Sequence, residues 1–361
     1  MFMTLYALVA MPSISLLIAA ATLYGLGVQQ HKKSAIVVKG EANQYIITLD
    51  NRIFLGFGAI RCVFIGQQFA IDTEAAEKQV AVKPFMKPCQ LAINFTVKYR
   101  GIYQLGLSNL EITDMLGLFS LKRKIPTKFE IVCYPRITEF EHMPLAVHLL
   151  SKAPANFAMA QEDYSDYTDV RPYLPSDPIK KVHWKLTAKR NEWIVKNYQT
   201  SALNSMTILL DSQSRKLKLE SKLKLEDAMM EYAVSALRYC LRHQMPTELL
   251  FGRHLKETGR HIGDFDPMYN VMARLQFTDE DSSVNEVLSR YLYDTSRNVN
   301  IVIITSLLDM TLYELLLNAV RFGHYIAVMY FDTSFDRPDR KSDDVFEKLQ
   351  ASGLNCVKIT A

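Results

Sequence analysis

The sequence predicts an α+β multidomain chain: an N-terminal transmembrane helix, a β-sandwich-like domain, then an α/β domain with a mostly parallel sheet. Three observations carry this expectation. Residues 1–31 contain no Asp, Glu, Lys or Arg. The stretch that follows is made of short apolar or alternating runs cut by Gly, Pro and Asp-Asn. From Met206 onward, apolar runs of strand length alternate with segments of helical period. At 361 residues the chain has room for two domains and an anchor.

The first element is the anchor, residues 1–31. Leu5 to Val28 is nearly all apolar, a length that crosses a bilayer core of ~30 Å once as a helix. Two crossings would need roughly forty residues, so the expectation is a single span. Pro12 kinks that helix or marks its effective start. The competing readings are a buried core helix, disfavoured for so long a run at the extreme N-terminus, and a cleaved signal peptide. For the latter, Ala19-Ala20-Ala21 is a weak cleavage site, but no basic n-region precedes the apolar run. Lys32 and Lys33 follow at once, and the positive-inside tendency places them and the rest of the chain in the cytoplasm. The expected location is therefore the cell membrane, single-pass, with the main soluble part cytoplasmic.

Residues 34–138 read as the β-sandwich-like domain. Ala35–Val38, Tyr45–Leu49, Cys62–Ile65, Leu91–Val97 and Glu130–Tyr134 are strand-like runs, punctuated by Asp50-Asn51, Gly66, Pro84, Pro88 and Gly101. Residues 139–199 form a connector. Its Gln161–Asp169 stretch is acidic and tyrosine-rich, and it leads into a basic segment with Lys180, Lys181, Lys185, Lys189, Arg190 and Lys196.

Residues 200–361 carry the α/β alternation. Strands are expected at Thr207–Asp211, Thr247–Phe251, Asn300–Thr305, Tyr325–Phe331 and Val357–Thr360. Helices are expected at Leu225–His243, Val284–Leu292, Thr311–Val320 and Asp343–Ala351, with Ser282 or Ser283 capping the second. Such alternation implies a parallel sheet with helices on both faces. An apolar strand that ends in Asp211 and opens into a polar turn is how many open α/β sheets present a site.

Composition narrows function. A net charge of +4 demands no nucleic-acid partner. The five cysteines are scattered without CxxC spacing, so they read as free thiols in a reducing compartment rather than a disulfide framework or zinc site. No GxGxxG or Walker arrangement supports a nucleotide.

Two groups of residues carry a resemblance. In the β-rich region they are Tyr99-Arg100-Gly101, Tyr103, Leu105, Gly106, Asp114, Leu116-Gly117-Leu118-Phe119 and Tyr134-Pro135. In the connector they are Arg171, Tyr173, Asp177, Lys180, Trp184, Lys185, Thr187, Ala188 and Lys189. In order and spacing the chain resembles the bacterial family known as domain of unknown function 58, over most of its length beyond the anchor. The resemblance implies a membrane-anchored protein with a β-rich domain and a von Willebrand factor A-like, Rossmann-type domain. It also implies a protein partner, a MoxR-type AAA+ ATPase or an envelope protein, and an adaptor role in assembling or maturing envelope complexes.

The sequence departs from that pattern in four places. Ser176 stands where the family usually has Gly, and one apolar N-terminal segment stands where it usually has two. Von Willebrand A domains hold Mg²⁺ with an Asp-x-Ser-x-Ser loop, helped by a Thr and an Asp from other loops. Here the loop reads Asp211-Ser212-Gln213-Ser214-Arg215, and a guanidinium offers only donors and a positive charge. Ser306 stands where the second Asp would be, with Asp309 nearby. The expectation is no metal and no cofactor.

His183, Trp184 and Asp177 suggest acid–base chemistry, but no nucleophile accompanies them at a diagnostic spacing. The basic and aromatic run Lys180–Lys196 reads as a solvated face or a mate for the neighbouring carboxylates before it reads as a lipid or nucleic-acid surface. The Asp211 turn is either a metal-free protein-docking edge or a vestigial loop in which Asp211 caps the following segment. The reading is thus a non-enzymatic, membrane-anchored interaction protein. It would bind through Asp211, Ser212, Ser214 and Ser306, with no nucleic acid and no small-molecule substrate. The alternatives are a hydrolase using an inter-domain cleft and a purely structural envelope scaffold.

Overall fold

The computed structural model describes residues 2–32, 36–51, 59–65, 70–73, 77–81, 87–114, 116–126, 129–139, 167–174, 182–198, 205–252, 255–279, 283–295, 299–333 and 340–360. The chain divides into two compact units, Met1–Arg136 with Tyr269–Leu275, and Ile137–Met268 with Gln276–Ala361.

The first unit opens with helix α1 (Phe2–Gly25) and continues in strands β1 (Leu26–Lys32), β2 (Val37–Val38), β3 (Ala42–Asn51), β4 (Ala59–Ile65), β5 (Ile71–Thr73), β6 (Glu77–Ala81), β7 (Cys89–Val97), β8 (Gly101–Thr113), β9 (Ser120–Lys124) and β10 (Phe129–Tyr134). One sheet runs β1-β3-β7-β5. The other runs β2-β10-β8-β4-β6, with β9 also on β8. Period-two alternation sends Tyr45, Ile47 and Leu49 of β3 inward, all fully buried. The Tyr45 ring lies 5.8 Å from Phe95 of its own sheet and 6.2 and 5.7 Å from Phe64 and Phe129 of the other, so the two sheets share one core.

The expected fold class and single-pass membrane location need correction here. The molecule is a mixed α/β chain with several sheets in which strands predominate, and among the described residues no helix is long and apolar enough to cross a membrane. The apolar run Leu5–Val28 is not one span. Helix α1 stops at Gly25, and Leu26–Val28 already belong to β1, paired antiparallel with Leu49–Asn51. The Ser15 hydroxyl donates to Asp114 Oδ2 at 2.8 Å, and Arg123 Nη1 donates to the Leu23 and Leu26 carbonyls, each at 2.9 Å. Charged partners at the middle and end of the helix are a setting that hydrocarbon does not offer. The inward side of α1 buries Ser15, Ala19, Thr22 and Leu23, while Val9, Ile14, Leu17 and Tyr24 are exposed.

The second unit contains a hairpin, β11 (Tyr167–Pro172) with β12 (Ile194–Tyr198), enclosing the short helix α2 (Trp184–Arg190). It then builds a six-stranded sheet from β13 (Met206–Leu210), β14 (Thr247–Phe251), β15 (Leu255–Gly259), β16 (Asn300–Thr305), β17 (Tyr325–Asp332) and β18 (Asn355–Thr360). The order is β15-β14-β13-β16-β17-β18, parallel throughout except for the antiparallel edge strand β15. Every residue of β13 and β16 is buried, as both faces of a parallel sheet require.

One face packs Leu209, Ile301, Ile303, Val328 and Tyr330 against Leu288, Leu312, Leu316, Val345 and Leu349 from the helices Val284–Asp294, Met310–Arg321 and Arg340–Ala351. The alternate residues face the long helix Leu219–Arg242. Its Tyr232 meets the Phe331 ring edge-on at 6.1 Å and sits 3.6 Å from the Met329 sulfur. Local signals fix the helix starts: Ser283 accepts from Glu286 N, and Asp309 accepts from Leu312 N at 2.7 Å.

Candidate functional site

From the central strand β13 the chain passes to β14 on one side, and β16 lies on the other. The carboxyl ends of β13 and β16 therefore flank the place where strand order reverses, where open α/β sheets leave a crevice. Asp211 is the first residue past β13, and Ser306 the first past β16. The Asp211 amide donates to the Ile304 carbonyl at 2.9 Å and clamps the two strand ends together.

The Asp211 side chain is 1% exposed, and its oxygens are shared out among neighbours. Oδ2 accepts from Thr305 Oγ1 at 2.7 Å and from Arg215 Nη2 at 2.5 Å; Oδ1 accepts from the Gln213 amide at 3.2 Å. Arg215 is 17% exposed and spans the turn: Nε donates to Ser306 Oγ at 3.0 Å and Nη1 to Gln213 Oε1 at 3.4 Å. The guanidinium thus gathers the aspartate, the glutamine carbonyl and the serine hydroxyl, the oxygen-bearing groups a hard cation would use. A fixed charge of the chain itself neutralises the carboxylate.

The other expected residues divide. Ser212 is buried, and its Oγ accepts from Gly252 N at 3.0 Å, so it braces the β14 end rather than facing outward. The Ser214 hydroxyl is buried, with no hydrogen-bond partner among the described residues. Asp309 is spent on its helix cap and on Asn285 Nδ2 at 3.0 Å. Thr305, fully buried and bonded to Asp211, is not among the residues the sequence singles out; its signal is a hydroxyl residue at the last position of an otherwise apolar strand. The residues that follow Ser306 begin the lining of a cavity of about 310 Å³, formed by the apolar Leu307, Leu308, Met310 and Val345 together with the charged Asp309, Lys341, Asp344 and Lys348.

In the connector, His183 Nδ1 accepts from Leu186 N at 3.3 Å and caps α2, a local structural use. Arg171 donates to its neighbour Pro172 O at 3.3 Å. Tyr173, Trp184, Lys185, Ala188 and Lys189 belong to the hairpin and α2, apart from the sheet edge in sequence. Asp177 and Lys180 lie outside the described residues. Among the described residues no three His, Cys, Asp or Glu side chains gather as metal ligands.

No family model matches the chain. No curated protein matches it either. Among solved structures, a cohesin module of a Clostridium perfringens ATCC13124 family 33 glycoside hydrolase has TM-score 0.24 and 14% identity, covering 31% of this chain and 97% of its own. A CARDB domain from Pyrococcus furiosus, solved in complex with di-metal ions, has TM-score 0.21 and 14% identity, over 30% of this chain and 91% of its own. A type I cohesin from Pseudobacteroides cellulosolvens has TM-score 0.22 and 13% identity, over 32% and 97%. At such scores the likeness carries no argument.

Proposed function

We propose that the chain is a non-enzymatic interaction protein of the domain of unknown function 58 type, an adaptor that works beside a MoxR-type AAA+ ATPase in assembling or maturing envelope complexes. The family assignment rests on the order of its signature residues in the sequence. Docking is assigned to the carboxyl edge of the α/β sheet, at the cavity lined by Leu307, Leu308 and Met310, which follow Ser306 in the chain. One observation carries the metal-free part of this reading: the Arg215 guanidinium is bonded to Asp211, Gln213 and Ser306 at once. An edge neutralised from within recognises its partner by shape and hydrogen bonds, with no need of a bridging cation.

The test is capture of a MoxR-type ATPase by the full chain, with and without EDTA. Retention of the ATPase in EDTA, and its loss on Met310→Asp, are the expected results. Chelator-sensitive capture would remove the metal-free mechanism. Capture unaffected by Met310→Asp would move the docking site elsewhere.

A further inference from the structure

The protein has two tryptophans, and both stand half-exposed on the small hairpin of the second unit: Trp184 is 59% exposed and Trp193 51%. Their ring centroids are 6.0 Å apart at 61°, and Tyr173 adds a third ring 5.4 Å from Trp193 at 53°. Leu174 beside them is 55% exposed. Tryptophan is highly buried on average, and clustered exposed aromatics are the usual anchors of interfaces.

The cluster is held rigid. His183 N donates to Ile194 O at 2.8 Å, Ile194 N to Thr187 Oγ1 at 3.1 Å, and Tyr173 N to Trp193 O at 2.9 Å. Asn191, at φ 56°, ends α2 in a left-handed turn that returns the chain to β12. A surface ordered before its partner arrives loses little entropy on binding.

We propose that the Tyr173–Trp184–Trp193 surface is a docking site for an acidic, proline-containing segment of a partner protein. Charge gives the first half of that assignment. Among the described residues of α2 and the turn after it, Lys185, Lys189 and Arg190 are exposed against one exposed carboxylate, Glu192. The rim therefore favours an anionic partner and disfavours a cationic one. Ring geometry gives the second half. Rings inclined at 53° and 61° form angled notches rather than one flat shelf, so a nucleobase rests on one ring at a time. A pyrrolidine ring on a polyproline II backbone fits such notches and is already extended when free. This surface shares no residue with the Asp211 edge, and either assignment can fail without the other.

Because both tryptophans lie here, the emission of the full chain excited beyond the tyrosine absorption reports on this surface alone. The probe is a synthetic peptide of alternating glutamate and proline. Its titration is expected to move the emission to shorter wavelength, to reduce acrylamide quenching and to weaken as salt rises. Lys185→Glu with Lys189→Glu, both exposed positions, is expected to weaken binding by about tenfold or more. Trp193→Ala is expected to abolish it, with the far-ultraviolet circular dichroism unchanged. No emission change at millimolar peptide overturns the proposal, as does an equal change with a lysine–proline peptide. A response to oligo(dT) or phosphatidylglycerol vesicles in place of the peptide reassigns the surface to nucleic acid or lipid.

Discussion

Arg215 is the residue on which the sheet edge depends. Its partner Asp211 is almost wholly out of water, and removing one member of a buried ion pair strands the other charge at a cost on the order of 3–5 kcal/mol. Arg215→Ala is therefore expected to lower the midpoint of chemical denaturation, and adding Asp211→Asn should recover much of the loss. A double variant no more stable than Arg215→Ala would show that the pair is not the source. Arg215→Ser tests the same site in another way. It leaves Asp211, Gln213 Oε1, Thr305 Oγ1 and Ser306 Oγ facing a vacated place, an oxygen set suited to a hard divalent ion. Millimolar Mg²⁺ should raise the Tm of that variant and leave the parent chain unmoved, since only a folded state that binds the ion is stabilised. An equal rise in both proteins would mean that the guanidinium does not hold the place.

At the scale of elements, the turn between β8 and β9 shows how one carboxylate organises a segment. Asp114 Oδ1 accepts from Phe119 N at 2.7 Å, and Oδ2 accepts from Leu116 N at 3.3 Å and from Ser15 Oγ at 2.8 Å. The Phe119 amide, above all, with Ser15 and Leu116, holds this carboxyl below its usual range. A carboxyl depressed in the folded state adds stability above its unfolded pKa of about 3.9 and loses it as pH falls through the folded value. Asp114→Asn should thus cost stability at pH 7 and much less near pH 2, measured by urea denaturation at both; an equal cost at both would exclude the charge as the cause. Elements differ in how plainly the sequence announces them. Ile208–Leu210 and Ile301–Ile304 are short apolar runs closed by polar residues, so length and flanks identify them as buried strands. Leu5–Val28 defeats the same reasoning. An unbroken apolar run has no period to mark where helix yields to strand at Gly25, and Ser15 and Thr22 give no hint of burial against Asp114 and β9. At the site, Asp211 is legible because it ends a strand. Arg215 is legible as a cation in the loop, but a spacing of four outside a helix does not fix where its side chain points.

For the whole molecule, the cysteines distribute probes of opening over both units. Cys62, Cys89 and Cys133 belong to the first unit, Cys240 and Cys356 to the second, and all five are free thiols. Burial pushes Cys62 up to about 11 and Cys240 and Cys356 up to about 12, so almost no thiolate exists at pH 8 in the folded state. Cys133 is fully buried on β10, whereas Cys89 at the start of β7 and Cys356 on β18 are both half-buried. A thiol reagent at pH 8 is therefore expected to label Cys89 first. Buried Cys62, Cys133 and Cys240 should react only as fast as their own unit opens, Cys356 slowly because little of it is thiolate, and all five promptly in denaturant. Mass spectrometry of the labelled peptides assigns each rate, and Cys89→Ser should remove the fast phase. If Cys62 and Cys133 share one slow rate while Cys240 has another, the units open independently. If these three share one rate that responds to Arg215→Ala, then a break in the sheet edge of the second unit is felt in the core of the first, and the chain unfolds as a single cooperative body.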